Sequence, residues 1–203
     1  MSTATEEKRG PGRPSTGARD RVLEAGLETL LEEGYAGLSY AKVAERAGEN
    51  KSLISYYFGS RQGLVGAVAD LVGNRITASV VIELGTPRSA REVASGMISG
   101  LWKVMDEDQR IARLYFDLSA VSVVDDEIRL ALHRVKEQWR EVVSGHLRQV
   151  GVPGPKVGPL ETFLLAGVQG LAIERLSAES PEELDRLDGA REMFISAAES
   201  LAG

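Results

Sequence analysis

The chain has 203 residues, 43% apolar and 27% charged, and its 30 acidic and 24 basic side chains give a net charge of −6. Those proportions belong to a folded globular protein and argue against disorder. The lack of cysteine removes any disulfide framework, thiolate metal site or thiol nucleophile, which suits a reducing cytoplasm.

The first fifteen residues, MSTATEEKRGPGRPS, are polar and hold Lys8, Arg9 and Arg13 among glycine and proline. They lack the apolar stretch of a signal peptide and read as a flexible basic arm over 1–15. Arg13 is a candidate for an A·T-rich minor groove, and a solvated tail is the competing reading. From Arg19 to Gly34 the apolar positions Val22, Leu23, Leu27, Leu30 and Leu31 repeat at helical spacing. Ser39 then supplies a cap, Val43, Ala44 and Ala47 form one face, and Gly48 stops a second helix. Asn50 caps a third short helix carrying Leu53, Ile54 and Tyr57. Two short helices joined by a glycine-containing turn of three or four residues form a helix-turn-helix, whose second helix enters a major groove.

Phe58-Gly59-Ser60 makes a turn and a cap for a fourth helix, Leu64 to Leu84 in its apolar pattern. Thr86-Pro87 opens another helix over about 87–105, and Asp106-Glu107-Asp108 separates it from a short one containing Ile111, Leu114, Tyr115 and Leu118. A long helix begins at Asp125-Asp126-Glu127 and runs to Val150. Acidic clusters at helix starts are stabilised by the backbone dipole, the commoner reason for them than catalysis or metal binding. Gly151-Val152-Pro153-Gly154-Pro155 is a linker, followed by helices at about 156–178 and 181–202. No strand pattern and no apolar run approaching 18 residues is present, so an all-α chain without a membrane span is expected.

Around the third helix, Gly48, Glu49, Asn50, Ile54, Ser55, Tyr56, Tyr57, Phe58, Ser60, Arg61 and Leu64 follow a known pattern. It resembles that of the TetR family of bacterial one-component regulators. Glu49 stands where the family has an apolar residue, Asn50 replaces the usual Ser or Thr, and Ser55 replaces an aromatic. Ile54-Ser55-Tyr56-Tyr57-Phe58-Gly59 and Val168-Gln169-Gly170-Leu171 are similar to the choline-sensing branch. The resemblance implies a helix-turn-helix DNA-binding domain at 16–62 and a ligand-binding and dimerisation domain at 63–203.

The candidate DNA contacts fall in that first domain. Lys51, Ser52, Ser55 and Tyr56 are the positions of the third helix outside its buried face, and Asn50 stands at its start. Ser39 and Tyr40 by position, and Lys42 by charge, are placed to reach phosphate. The resemblance assigns phosphate contacts to Tyr57 and Arg61. Residues 1–65 hold nine Lys or Arg and nine Asp or Glu, so the acidic excess lies wholly in the rest of the chain.

For a small-molecule effector, Met97, Leu101, Trp102, Met105, Tyr115, Phe116, His133, Trp139, Phe163 and Gln169 lie on the helices that enclose the family's pocket. Trp102, Tyr115 and Trp139 would offer cation–π faces to choline; core packing is the plainer role for all the aromatics. The family pairs its last two helices with their twins, which points to Phe163, Gly167, Gly170, Leu171, Leu187, Met193, Phe194 and Ala197 as a homodimer interface. The same apolar area could close a core within one chain. No phosphate-cradling loop, nucleophile elbow or metal-ligand spacing occurs, and His133 and His146 have no partner at such spacing. Neither catalysis, a cofactor nor a metal is expected. The sequence therefore predicts a cytoplasmic repressor that binds double-stranded DNA at a palindromic operator as a dimer and is released by an effector. The alternative is a helical ligand-binding or oligomeric protein whose head does not bind DNA.

Overall fold

The computed structural model describes residues 17–203 and contains only helices among them. Arg13 lies outside the described residues. The chain divides into two compact units, one ending at Leu64 and the other running from Val65 to Gly203.

In the first unit, α1 (Ala18–Gly37), α2 (Tyr40–Ala47) and α3 (Lys51–Phe58) surround Val22, Leu27, Leu30, Val43, Ile54 and Leu64, all fully or almost fully buried. Gly34 interrupts α1 at φ 68°, ψ −178°, a conformation that a Cβ would strain. Ser39 caps α2 by accepting the Lys42 backbone N–H at 3.4 Å, and Asn50 caps α3 by accepting that of Ser52 at 3.0 Å. Between them Gly48 is left-handed, at φ 64°, ψ 32°. Its N–H and that of Glu49 return to the carbonyls of Glu45 and Ala44, which satisfies acceptors that α2 would otherwise leave open.

Helix α4 (Arg61–Leu84) begins in the first unit, where the Ser60 hydroxyl accepts the Gly63 N–H at 2.8 Å. The second unit joins the rest of α4 to α5 (Ala90–Val121), α6 (Asp126–Gln149), α7 (Gly154–Ser177) and α8 (Pro181–Ala202). Two helices are expected between residues 87 and 118, and the structure has one with a break at Asp108 (φ −157°, ψ 96°). The Asp108 carboxylate accepts the Arg110 N–H at 3.0 Å and so caps the second segment without a loop. Gly100 lets α4 and α5 cross closely, since a Cβ there would lie 2.4 Å from the Val80 Cα. A complete capping box at Ser180 and Glu183 starts α8.

Among the described residues, α4 alone is long and apolar enough by length and composition to cross a membrane. Its Val68, Val72 and Ile76 are buried in the protein, and Asp70 pairs with Arg134 of α6 at 2.9 Å. That is the pattern of a core helix.

Candidate functional site

Helix α3 buries Ile54 and turns Lys51, Ser52, Ser55 and Tyr56 outward, with Tyr56 72% exposed. Tyr57 and Phe58 are half-buried, and Tyr57 meets Tyr56 edge-on at 5.2 Å. Four polar or amphipathic side chains thus share one free edge, while the opposite side is fixed by the core.

The other candidates around α3 have partners of their own. Lys42 pairs with Glu33 and Arg46 with Glu32, so that cations of α2 face acids of α1. The Glu32 hydrogen bond is the main cause that raises the Arg46 guanidinium above its ordinary value. Arg21 of α1 reaches Glu49 in the turn, Nε to Oε1 3.2 Å, and the Glu49 side chain is only 13% exposed. Lys51 has no ion-pair partner among the described residues.

Arg61 and Tyr40 depart from the expected phosphate contacts. The Arg61 guanidinium donates to the backbone carbonyls of Leu38 (3.0 Å) and Tyr35 and lies 4.2 Å from the centre of the Tyr35 ring. It thereby satisfies acceptors at the end of α1. The Tyr40 hydroxyl oxygen is enclosed by protein. Burial raises its pKa, an effect the neighbouring Ser55 hydroxyl partly offsets. Ser39 and Asn50 use their side-chain oxygens as helix caps.

In the second unit a cavity of about 60 Å³ lies among α4, α5, α6 and α7. It brings together six predicted residues, Met97, Leu101, Tyr115, Phe116, Trp139 and Gln169, with Ile76, Thr77 and Val80 of α4 and with Ala112, Val142, Val143, Leu165 and Val168. The Trp139 indole N–H donates to the Thr77 hydroxyl at 2.9 Å, and Tyr115 and Trp139 pack with ring centres 4.9 Å apart. The Tyr115 hydroxyl faces the Gln169 side-chain oxygen at 3.5 Å, and burial pushes its pKa up to about 12.

Four predicted cavity residues lie elsewhere. Trp102 is covered by Arg175, 5.0 Å from its ring centre, which also binds the Trp102 carbonyl and Asp106. Met105 borders an open groove on that same side. His133 is 64% exposed and faces Glu137, because neighbouring Leu132 takes the buried phase of α6. Phe163 stacks on Phe194 at 5.1 Å.

A model of the bacterial regulatory proteins of the tetR family matches residues 22–68, the helices just described. The regulator BetI 1 of Chromohalobacter salexigens is 26% identical over 183 residues, covering 86% of this chain and 85% of its own. Residues 22–68 are those of a TetR-family head. A transcriptional repressor of Mycobacterium tuberculosis, Rv3405c, is 30% identical over 105 residues, 48% of this chain and 55% of that one. The solved structure of the multidrug binding protein EbrR with imidazole superposes with a TM-score of 0.71 at 21% identity, covering 99% of this chain and 98% of that one.

Helices α7 and α8 carry the predicted dimer residues. Phe163, Gly167 and Phe194 pack together inside the chain, where a Cβ on Gly167 would come within 2.1 Å of the Phe194 ring, and Leu187 is buried. Leu171 and Ala197 are half-buried. Gly170 and Met193 are exposed, the latter by 76%, and Ile173, Leu184 and Leu201 lie exposed on the same two helices. The exposed apolar set is therefore partly different from the predicted one. Helical phase alone did not separate residues facing α5 and each other from those facing out.

Proposed function

We propose that this TetR-family regulator is a repressor that binds a near-palindromic operator as a dimer and leaves it when a small molecule occupies the cavity of the second unit. The observation that carries this reading is the free edge of α3, Lys51, Ser52, Ser55 and Tyr56 over a buried Ile54. Side chains of this kind reach base edges and phosphates when such a helix lies in a major groove. Lys51, with no ion-pair partner among the described residues, supplies the charge. Arg13 of the 1–15 arm would enter the adjacent minor groove. Residues 16–62 then serve as the DNA-binding domain and 63–203 as the effector and dimerisation domain of a cytoplasmic protein.

Repression has the support of the M. tuberculosis relative named as a repressor, and ligand binding that of the imidazole complex of EbrR. The exposed apolar residues of α7 and α8, Ile173, Leu184, Met193 and Leu201, support pairing with a second copy. Coupling requires the effector to prefer the form that binds DNA poorly; ~1–3 kcal/mol of coupling changes DNA affinity about 5- to 150-fold. Helix α4 is the natural carrier, since it begins in the first unit and supplies Ile76, Thr77 and Val80 to the cavity.

Gel-shift titration of the DNA upstream of the protein's own gene tests the reading. Wild type is expected to bind specifically in the presence of competitor DNA, and Lys51→Ala to lose both affinity and site preference. Failure of wild type to retain any duplex over competitor would leave the alternative, a helical ligand-binding protein with a silent head.

A further inference from the structure

We infer that the cavity of the second unit takes a neutral, largely apolar molecule no larger than one ring with a single hydrogen-bonding group, and rejects quaternary ammonium ions such as choline. This rests on the reading of the cavity as the effector site and names the chemistry of what fills it.

Charge decides the first part. None of the fourteen residues lining the cavity is charged at neutral pH, the Tyr115 phenol included, which stays protonated. A cation moved into such a place loses its water and gains no carboxylate, a cost of several kcal/mol that ring faces alone do not offset. The nearby acids are engaged elsewhere: buried Glu161 is bonded by Ser144 and lies 3.4 Å from Arg140, and Asp106 is held by Arg175 at 2.6 Å. An anion fares no better, for no Lys or Arg lines the cavity.

The aromatic residues that would form a cation cage are also committed. Arg175 already lies over the Trp102 ring, outside the cavity, and Tyr115 and Trp139 are packed against each other at 4.9 Å with a 47° tilt. What remains is an apolar wall with few open polar atoms. Thr77 donates to the Gly73 carbonyl at 2.7 Å and accepts from Trp139, so its hydroxyl is occupied. Tyr115 and Gln169 face each other at 3.5 Å, a contact at the limit of a hydrogen bond. A ligand hydroxyl placed between them would accept from the phenol and donate to the amide oxygen.

Volume limits the size from above. A cavity of about 150 Å³ is known to hold benzene, whereas this one is about 60 Å³. One ring therefore fits only if flexible lining such as Met97 moves aside. Anything much larger must separate helices.

The test uses the full-length chain as Trp102→Phe, which leaves Trp139 in the cavity as the sole tryptophan. Fluorescence titration, repeated by calorimetry, compares p-cresol, toluene, choline and benzoate. The expected result is saturable binding of p-cresol at least about tenfold tighter than choline or benzoate, with toluene between. Gln169→Leu should bring p-cresol down to the level of toluene while leaving the thermal melt in place. Choline or benzoate binding as tightly as p-cresol overturns the inference, as does an absence of saturable binding by both neutral probes. Operator gel shifts on the same preparation, without ligand, keep the two readings apart. DNA binding with the wrong ligand preference removes only the ligand class, and p-cresol binding without DNA binding removes only the regulator reading.

Discussion

Arg61→Ala separates a structural role from a phosphate-binding one. The side chain makes two charged hydrogen bonds to the last carbonyls of the α1 region, one of 3.0 Å to Leu38 and one to Tyr35, and covers the Tyr35 ring at 4.2 Å. A hydrogen bond to a charged group contributes about 1.5–3 kcal/mol in sheltered surroundings, and a cation over an exposed ring about 0.5–1 kcal/mol. Arg61 is half-buried, so water replaces part of each contact, and a net loss of about 2–3 kcal/mol is expected. Arg61→Lys keeps the charge near the helix end but loses the planar fork, and about half the loss should remain. Both tryptophans, Trp102 and Trp139, lie in the second unit, so their fluorescence would not report the change. Hydrogen exchange of backbone amides in α1 to α3 would, because it resolves local opening in a chain of two units. Arg61→Ala should speed exchange there about 30- to 150-fold, as 2–3 kcal/mol requires. Unchanged exchange combined with lost DNA affinity would refute this reasoning and return Arg61 to the phosphate backbone.

Other substitutions probe the rest of the account. Replacing Glu32 and Glu33 by Gln frees Arg46 and Lys42; duplex affinity measured by fluorescence anisotropy should rise, and the slope of log K against log salt should steepen by about one to two units. No change would mean that those cations never reach DNA. Tyr115, pushed up to about 12 by burial, should appear as a late step in an absorbance titration and vanish in Tyr115→Phe. Its folded pKa lies above the unfolded value of 10.0, so its contribution to stability is intact below pH 10 and is lost as pH rises from 10 towards 12. Gly100→Ala must push α4 from α5 and should cost about 1–3 kcal/mol in urea unfolding. By contrast Gly145→Ala, with open space around it in α6, should stabilise by about 0.5–1 kcal/mol.

What the sequence made legible was local. Ser39, Asn50, Gly48 and Ser180 act within three or four residues of themselves, and each does so in the structure. The all-helical class follows from the same short-range periodicity. Long-range pairing was not legible: Glu49 reads as a misfit in the family pattern until Arg21, 28 residues away, is seen beside it. Arg61 likewise carries the residue type of a phosphate ligand, and only the approach of Leu38 and Tyr35 shows that two of its donors are engaged within the protein. In the second unit, side-chain chemistry selected Trp102 and His133 for the cavity, whereas helix phase turns both away from it. Thr77 was missed because its importance comes from Trp139, 62 residues further on. In the sequence the acids of α1 enter only as a charge count; in the structure Glu32 and Glu33 hold specific partners on α2.

Footprinting of the bound operator tests the central claim most directly, since that claim is a geometry: two copies of α3 in successive major grooves of one face of the duplex. The account predicts two protected half-sites centred about 10–10.5 base pairs apart, related by a two-fold axis, with altered contacts at both when Lys51 or Tyr56 is replaced by Ala. Protection without paired half-sites, or a footprint unchanged by both substitutions, would contradict it.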